Sequence, residues 1–303
     1  MGRNSREKRD IFYRKAKQEG WRARSAFKLL QVDEEFNIFE NVKRAVDLCA
    51  APGSWSQVLQ QEEDAIIVSV DLQEMAPLEG VIEIQGDITS EKTAEEIVHH
   101  FKGKKAQLVV CDGAPDVTGM HDIDEYIQLQ LILAALNITS HVLEEGGSFV
   151  SKIFRGKDIT LLYSQCSIFF ERVYCAKPKS SRNSSLESFV VCKGFKLPKN
   201  YIPRMVDPLL DFQYNENNLN NENNNNLNEN NENNGGPMLG TDRYIVPFLA
   251  CGDLSGFDSD RTYSIGTNEV LGIPVIQPPT NPPYKKAVEL KRSNTLKTDL
   301  MFK

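Results

Sequence analysis

Residues 45–55 read Ala45-Val46-Asp47-Leu48-Cys49-Ala50-Ala51-Pro52-Gly53-Ser54-Trp55. A short apolar run passes into a Pro-Gly turn and then into helical spacing over 54–63. A strand that feeds such a turn and a helix brings backbone N–H groups and the helix N-terminus up to a ligand. Pro52, Gly53 and Trp55 are therefore expected contacts of a nucleotide-like cofactor. Outward from this unit, further strand-like runs occupy 65–70, 81–85, 106–111, 147–154, 170–176 and 188–192. Helix-like runs at 91–101, 124–143 and 158–169 lie between several of them. Such alternation predicts a mostly parallel sheet with helices on both faces. The last two strand-like runs are joined by the polar stretch 177–187 without a helix, which predicts an antiparallel hairpin at the sheet edge.

Four acids stand at or near the carboxyl ends of the first four strand-like runs: Asp47, Asp71, Asp87 and Asp112. Open α/β sheets bind their ligands at that edge. A ribose, an amine and a cationic centre suit carboxylates, whereas a triphosphate would want the opposite charge. No G-x-x-x-x-G-K-[ST] loop is present, and the spacing G-x-G-x-x-G of dinucleotide folds is absent. Lys152 lies inside the apolar run Phe149-Val150-Ser151-Lys152-Ile153-Phe154, at the carboxyl end of an expected central strand. A lysine there is out of place unless chemistry requires it.

The chain has 303 residues, 40% hydrophobic and 25% charged, as expected for a globular protein with a full core. No apolar run approaches the roughly 20 residues of a membrane span. Residues 1–24 lack the apolar core of a signal peptide. The six cysteines, Cys49, Cys111, Cys166, Cys175, Cys192 and Cys251, form no C-x-x-C pair and read as free thiols in a reducing, cytoplasmic setting. The four histidines show no ligand spacing, so no metal is expected.

The net charge of −7 conceals a basic beginning. Residues 1–28 carry ten Lys/Arg against three Asp/Glu, with Phe12, Tyr13, Trp21 and Phe27 interleaved. This composition suits phosphate contact and base stacking. Residues 215–234 comprise fourteen Asn, four Glu and two Leu, too little apolar content to offset chain entropy. The expected organisation is basic N-terminal helices over 1–42, a catalytic domain over 43–213, an insert over 214–236 and an extension over 237–303. That extension cannot build a core of its own and is expected to drape over the catalytic domain or dock a partner.

Asp47-Leu48-Cys49-Ala50-Ala51-Pro52-Gly53-Ser54-Trp55-Ser56-Gln57 and Asp112-Gly113-Ala114-Pro115-Asp116 resemble the FtsJ-like RNA ribose 2′-O-methyltransferases. The resemblance covers roughly residues 1–213. Arg22-Ala23-Arg24-Ser25-Ala26-Phe27-Lys28-Leu29, Lys152-Ile153-Phe154-Arg155-Gly156 and Pro279-Thr280-Asn281-Pro282-Pro283-Tyr284-Lys285-Lys286 resemble the eukaryotic branch that acts on the tRNA anticodon loop. This resemblance implies a Rossmann-like fold with a seven-stranded, mostly parallel sheet and one antiparallel edge strand. S-adenosylmethionine would be the donor, and Lys28, Asp112, Lys152 and Glu187 a catalytic tetrad. The branch implies tRNA nucleotides 32 and 34 as targets. It also implies separate auxiliary proteins, one of WD-repeat and one of helical-repeat type. Without the resemblance, Lys28 reads as a phosphate contact and Glu187 as part of a solvated face. Lys152 would serve either as the base for the 2′-OH or as the group that steers its oxygen.

Three other functions compete. RNA cytosine-5 methyltransferases share the Asp-x-Cys-Ala-Ala-Pro-Gly turn but need a Pro-Cys nucleophile motif, which this chain lacks. A non-catalytic RNA-binding module on the same fold would have no need of all four tetrad residues. The same chemistry on ribosomal RNA differs only in target.

Overall fold

Val46 and Leu48 of β1 (Arg44–Leu48) are buried against one set of helices, and Ala45 and Asp47 against another. That two-sided burial is the signature of a sheet covered on both faces, and it recurs along the chain. The computed structural model describes residues 10–62, 64–115, 121–156, 159–199, 201–203, 205 and 244–263. Residues 1–9 of the basic segment, the Asn-rich stretch and the Pro-rich tail beyond residue 263 lie outside the described residues.

Helices α1 (Ile11–Glu19) and α2 (Ala26–Phe36) precede β1. There follow α3 (Ser54–Leu59), β2 (Ile66–Asp71), β3 (Val81–Gln85), α4 (Glu91–His100), β4 (Ala106–Cys111) and α5 (His121–Val142). The chain continues through β5 (Leu143–Phe154), α6 (Ile159–Phe169), β6 (Phe170–Pro178), β7 (Glu187–Phe195) and β8 (Phe248–Cys251). The strand order is β3-β2-β1-β4-β5-β7-β6-β8. β3, β2, β1, β4 and β5 are mutually parallel, and β7 runs antiparallel to both its neighbours.

Two corrections to the expected sheet follow. The antiparallel strand β7 is interior, between β5 and β6, and not at the edge. Its residues 188–192 are all buried, so both of its edges and both of its faces need partners. The edge is taken by an eighth strand, β8, which pairs parallel to β6 through Cys175↔Phe248 to Pro178↔Cys251. β8 adds a strand to the sheet edge and buries Cys251, while Phe248 stays half exposed.

One face is covered by α4, α5 and α6, where Ile97, Ile138 and Leu162 meet Val109, Phe149 and Val190. The other is covered by α2 and α3, where Leu29, Val32, Trp55 and Val58 meet Val110, Val150 and Phe189. Helix α2 is therefore part of the core, and among the described residues no packing boundary separates residues 10–42 from the sheet. Ser25, just before α2, has helical backbone angles and makes no capping bond; its hydroxyl meets Ser54 Oγ at 2.7 Å. Trp55 Nε1 donates to Ser25 O, and Gln57 bonds Arg22 N and Gly20 O, so α3 fastens the α1–α2 corner.

Leu29 is fully buried under this layer. Leu29→Ala should lower unfolding free energy by about 2–5 kcal/mol, the range for a large-to-small change in a packed core. Urea denaturation at unchanged m-value measures it. A loss too small to resolve would mean that α2 is a peripheral arm.

Candidate active site

Strand parity gathers the charged groups. Side chains alternate across a strand, so Val150 and Lys152 of β5 share the face under α2 and α3. In the antiparallel register Lys152 lies opposite Phe189, and Phe154 opposite Glu187. Lys152 and Glu187 are thus diagonal neighbours on that face. The pairing Cys111↔Ser151 sets Asp112, just past β4, beside Lys152. Because β7 runs antiparallel, its first residue stands at the same edge as the carboxyl ends of the parallel strands. Lys28, in the first turn of α2, closes the group from above.

The four groups form two ion pairs. Lys28 Nζ donates to Glu187 Oε2 at 2.7 Å. Lys152 Nζ donates to the Asp112 main-chain oxygen at 2.6 Å and stands 3.1 Å from Asp112 Oδ1. The latter contact attracts, but its geometry is not that of a hydrogen bond, and among the described residues Oδ1 has no hydrogen-bond partner. Burial would depress the Lys152 ammonium, but the carboxylates of Asp112 and Glu187 outweigh it and hold its pKa above the ordinary value. Burial would raise Glu187; Lys28 and Lys152, with hydrogen bonds from Lys28 and Ser181, instead hold it down at about 2. Lys152 and Glu187 are thus each held towards their charged forms.

The acids at the strand ends differ among themselves. Asp47 is fully buried and accepts from Ser56 Oγ at 2.6 Å, and Ser56 Oγ in turn meets Ser69 Oγ at 2.7 Å. Its other oxygen has no hydrogen-bond partner among the described residues, and burial, with Asp112 and Asp71 nearby, pushes its pKa up to about 7. Asp71 accepts from Ala51 N at 2.9 Å and Gln73 N at 2.8 Å, fixing the turn after β1. Asp87 is exposed and accepts from Thr89 N and Oγ1, a turn-forming arrangement before α4. Gly53 has φ of 97°, and a Cβ there would lie 2.9 Å from Arg22 Nη1. Arg22 itself donates to Pro52 O and Pro77 O, holding the turn from its outer side. The Trp55 ring is packed in the core at 5.6 Å from the Phe189 ring, so its surroundings are those of a packing residue.

Three groups that sequence inspection passed over belong to this site. Gln128 of α5 is buried and donates to both Gly113 O at 3.1 Å and Lys152 O at 3.0 Å. One amide therefore ties the tip of β4 to the tip of β5, the two strands that carry Asp112 and Lys152. Its signal was a polar residue in the buried stripe Gln128, Ile132, Ala135, Thr139. Ser181 Oγ donates to Glu187 Oε1 at 2.7 Å. Asp10, the N-cap of α1, accepts from Tyr13 N and binds both Arg24 and Arg182. Neither Ser181 nor Asp10 carries a pattern that would mark it in advance.

A glycine turn after the first strand, acids at the carboxyl edge and the order β3-β2-β1-β4-β5-β7-β6 define a Rossmann-like methyltransferase. The sequence model of the FtsJ-like methyltransferases matches residues 21–195, and the chain belongs to that family, whose methyl donor is S-adenosylmethionine. The chain is 58% identical over 310 aligned residues to a tRNA (cytidine(32)/guanosine(34)-2′-O)-methyltransferase of Mus musculus, covering 99% of this chain and 90% of that one. A protein of the same description from Schizosaccharomyces pombe is 52% identical, with 98% and 100% covered. Among solved structures, a candidate ribosomal RNA methyltransferase of Plasmodium falciparum superposes with a TM-score of 0.53 at 25% identity, covering 58% of this chain and 98% of that one.

The depressed Glu187 carboxyl carries a stability consequence. A carboxylate held below its unfolded pKa stabilises the fold above that pKa and loses the contribution as pH falls through the folded value. The stability advantage of the wild type over Glu187→Gln should therefore be full above pH 4.5 and fall away towards pH 2. Thermal melts of both proteins across that window check it. A gap that stays constant with pH would contradict the ion-pair assignment.

Proposed function

We propose that this protein transfers a methyl group from S-adenosylmethionine to ribose 2′-hydroxyls of cytoplasmic tRNA in the anticodon loop, at nucleotides 32 and 34. Auxiliary proteins, one of WD-repeat and one of helical-repeat type, would select the position. Support for the substrate comes from the near full-length relatives named for it. Support for the chemistry comes from the paired charges at the sheet edge, above all the buried Lys152 ammonium against Asp112.

The residues present suit the donor. S-adenosylmethionine supplies an electrophilic methyl on a cationic sulfur and also carries an amine, a ribose and an adenine. The orphaned Asp47 oxygen is a buried acceptor that lacks a donor, which an ammonium would satisfy. A cation beside it would also draw its carboxyl down from about 7 into the ionised form. Asp71 and Asp87 keep acceptor capacity beyond their turn-forming bonds and would serve the ribose and the adenine amino group. Pro52 and Gly53 shape the turn, and Trp55 holds it in place from the core.

Lys152 enters the reaction charged, so its first task is to steer. An ammonium that donates to the hydroxyl oxygen fixes which lone pair faces the incoming methyl. Asp112 Oδ1, free of other hydrogen bonds, stands beside it as acceptor for the hydroxyl hydrogen. A weak acceptor suffices, because a methylated hydroxyl that has not yet lost its proton is strongly acidic. Lys28 and Glu187 hold the charge pattern, with Glu187 anchoring both lysines electrostatically.

Lys152→Ala should lower methyl transfer to tRNA by about 10²-fold or more, the scale for misplacing a reacting atom by about 1 Å. Donor affinity, read by calorimetric titration, should change little. Turnover near that of wild type would sink the assignment, and loss of donor binding as well would point to a folding defect. Ribosomal RNA in the same assay should accept no methyl group.

A further inference from the structure

A cavity of about 630 Å³ opens beside Lys28 and Glu187, within the roughly 300–1,000 Å³ of small-ligand sites. Three separate stretches of chain wall it. One is the α1–α2 corner with Asp10 and Arg24, and another is the β6–β7 loop around Ser181 and Arg182. The third, at residues 259–262, comes from beyond the Asn-rich insert and is pinned by Ser259 Oγ to Ser181 O and by Asn183 N to Asp260 Oδ2.

The lining has more positive charge than its acids engage. Glu187 is taken by Lys28 and Ser181. Asp260 accepts from Asn183 N. Asp10 alone faces two guanidiniums, those of Arg24 and Arg182, and also caps α1. Glu187 and Asp260 also act on Arg24, yet among the residues that line the cavity four cations, Arg24, Lys28, Arg182 and Arg261, stand against three carboxylates, Asp10, Glu187 and Asp260. Arg261, at the rim, stands 4.0 Å from Asp258, which is not part of the lining. Burial first, and then the nearness of Arg182, push the Arg24 guanidinium down to about 10. A cavity of this kind is a seat for an anion, and a planar guanidinium fork suits phosphate oxygens.

Its location names the anion. If the tetrad holds a ribose 2′-hydroxyl, the nearest charged group of the RNA is the phosphodiester on the adjoining 3′ carbon. We propose that this cavity seats the 3′-phosphodiester of the nucleotide being methylated, with Arg182 and Arg24 as its anchors and Asp10 as the residue that positions both. The proposal rests on the RNA methylation proposed above. It gives the segment after the insert a task, since residues 259–262 close the cavity's outer wall.

The test uses the full-length protein and an anticodon stem–loop RNA carrying one neutral methylphosphonate, either 3′ or 5′ to the target nucleotide. Filter binding reads affinity, and labelled methyl incorporation reads transfer. With wild type, the 3′ substitution should weaken binding about tenfold, as for loss of one charge-assisted contact, and the 5′ substitution clearly less. Arg182→Gln should weaken binding of the unmodified RNA by a similar factor and respond little further to the 3′ methylphosphonate. Arg182→Lys, which keeps the charge and loses the fork, should recover part of the loss. The Arg182 side chain is 41% exposed, so these changes spare the core, and unchanged donor affinity checks the fold. Losses that multiply independently, or a larger effect at the 5′ linkage, overturn the proposal. Coupled losses without methyl transfer would contradict the proposed activity alone; transfer with uncoupled losses would contradict the cavity's role alone.

Discussion

The antiparallel pairing of β5 with β7 sets Lys152 opposite Phe189 and Phe154 opposite Glu187, and the site depends on that register. With a side-chain period of two, a slip of one residue would turn Glu187 to the α5 face and leave Lys28 without its carboxylate. The same parity governs the parallel strands. Asp47, Ser69 and Asp71 share the α2/α3 face, as does Asp112 just past β4, because each lies an even number of residues from a side chain packed there. Ser56, at the start of α3, completes the contact between Asp47 and Ser69. An interior β7 is what makes this possible. An edge strand would have left Glu187 solvated and its charge screened.

Four charges held within one largely buried group cost desolvation, and their pairing offsets it only while every partner is present. That explains why the surroundings are so fully bonded. Gln128 ties the strand tips, Ser181 supports Glu187, and the α1–α2 corner is fastened through Gln57 and Trp55. Asp47 makes the contrast. Among the described residues no cation acts on it, and its carboxyl stands near 7 where Glu187 stands near 2. Burial opposes ionisation of both, most at fully buried Asp47, and only at Glu187 do Lys28 and Lys152 outweigh it.

Much of the fold was legible from period and punctuation. The strands through β4 and the helices after them follow from apolar runs separated by turns, and Lys152 declared itself as a charge inside such a run. What escaped notice has physical reasons. The segment at 248–251 is too short for its pattern to commit to a strand, and only the free edge of β6 makes it one. Ser25 looks like a cap in sequence, but Ser54 and Trp55 compete for it in space. Trp55 sits in the signature turn, yet its ring is drawn into the core by Phe189. Asp10 and Arg182 are 172 residues apart, and no local pattern predicts that they meet. Lys28 and Glu187 were legible only through family resemblance, since each alone reads as surface.

The paired charges around Lys152 and the near full-length relatives named for tRNA point to one reaction, methylation of anticodon-loop riboses. Ribose-methylation mapping on tRNA from cells lacking the protein, and from the same cells resupplied with wild type or with Lys152→Ala, tests it most directly. Methylation at nucleotides 32 and 34 should vanish without the protein, return with wild type and stay absent with the variant. Persistence of both modifications in cells without the protein, or their full return with Lys152→Ala, would contradict it.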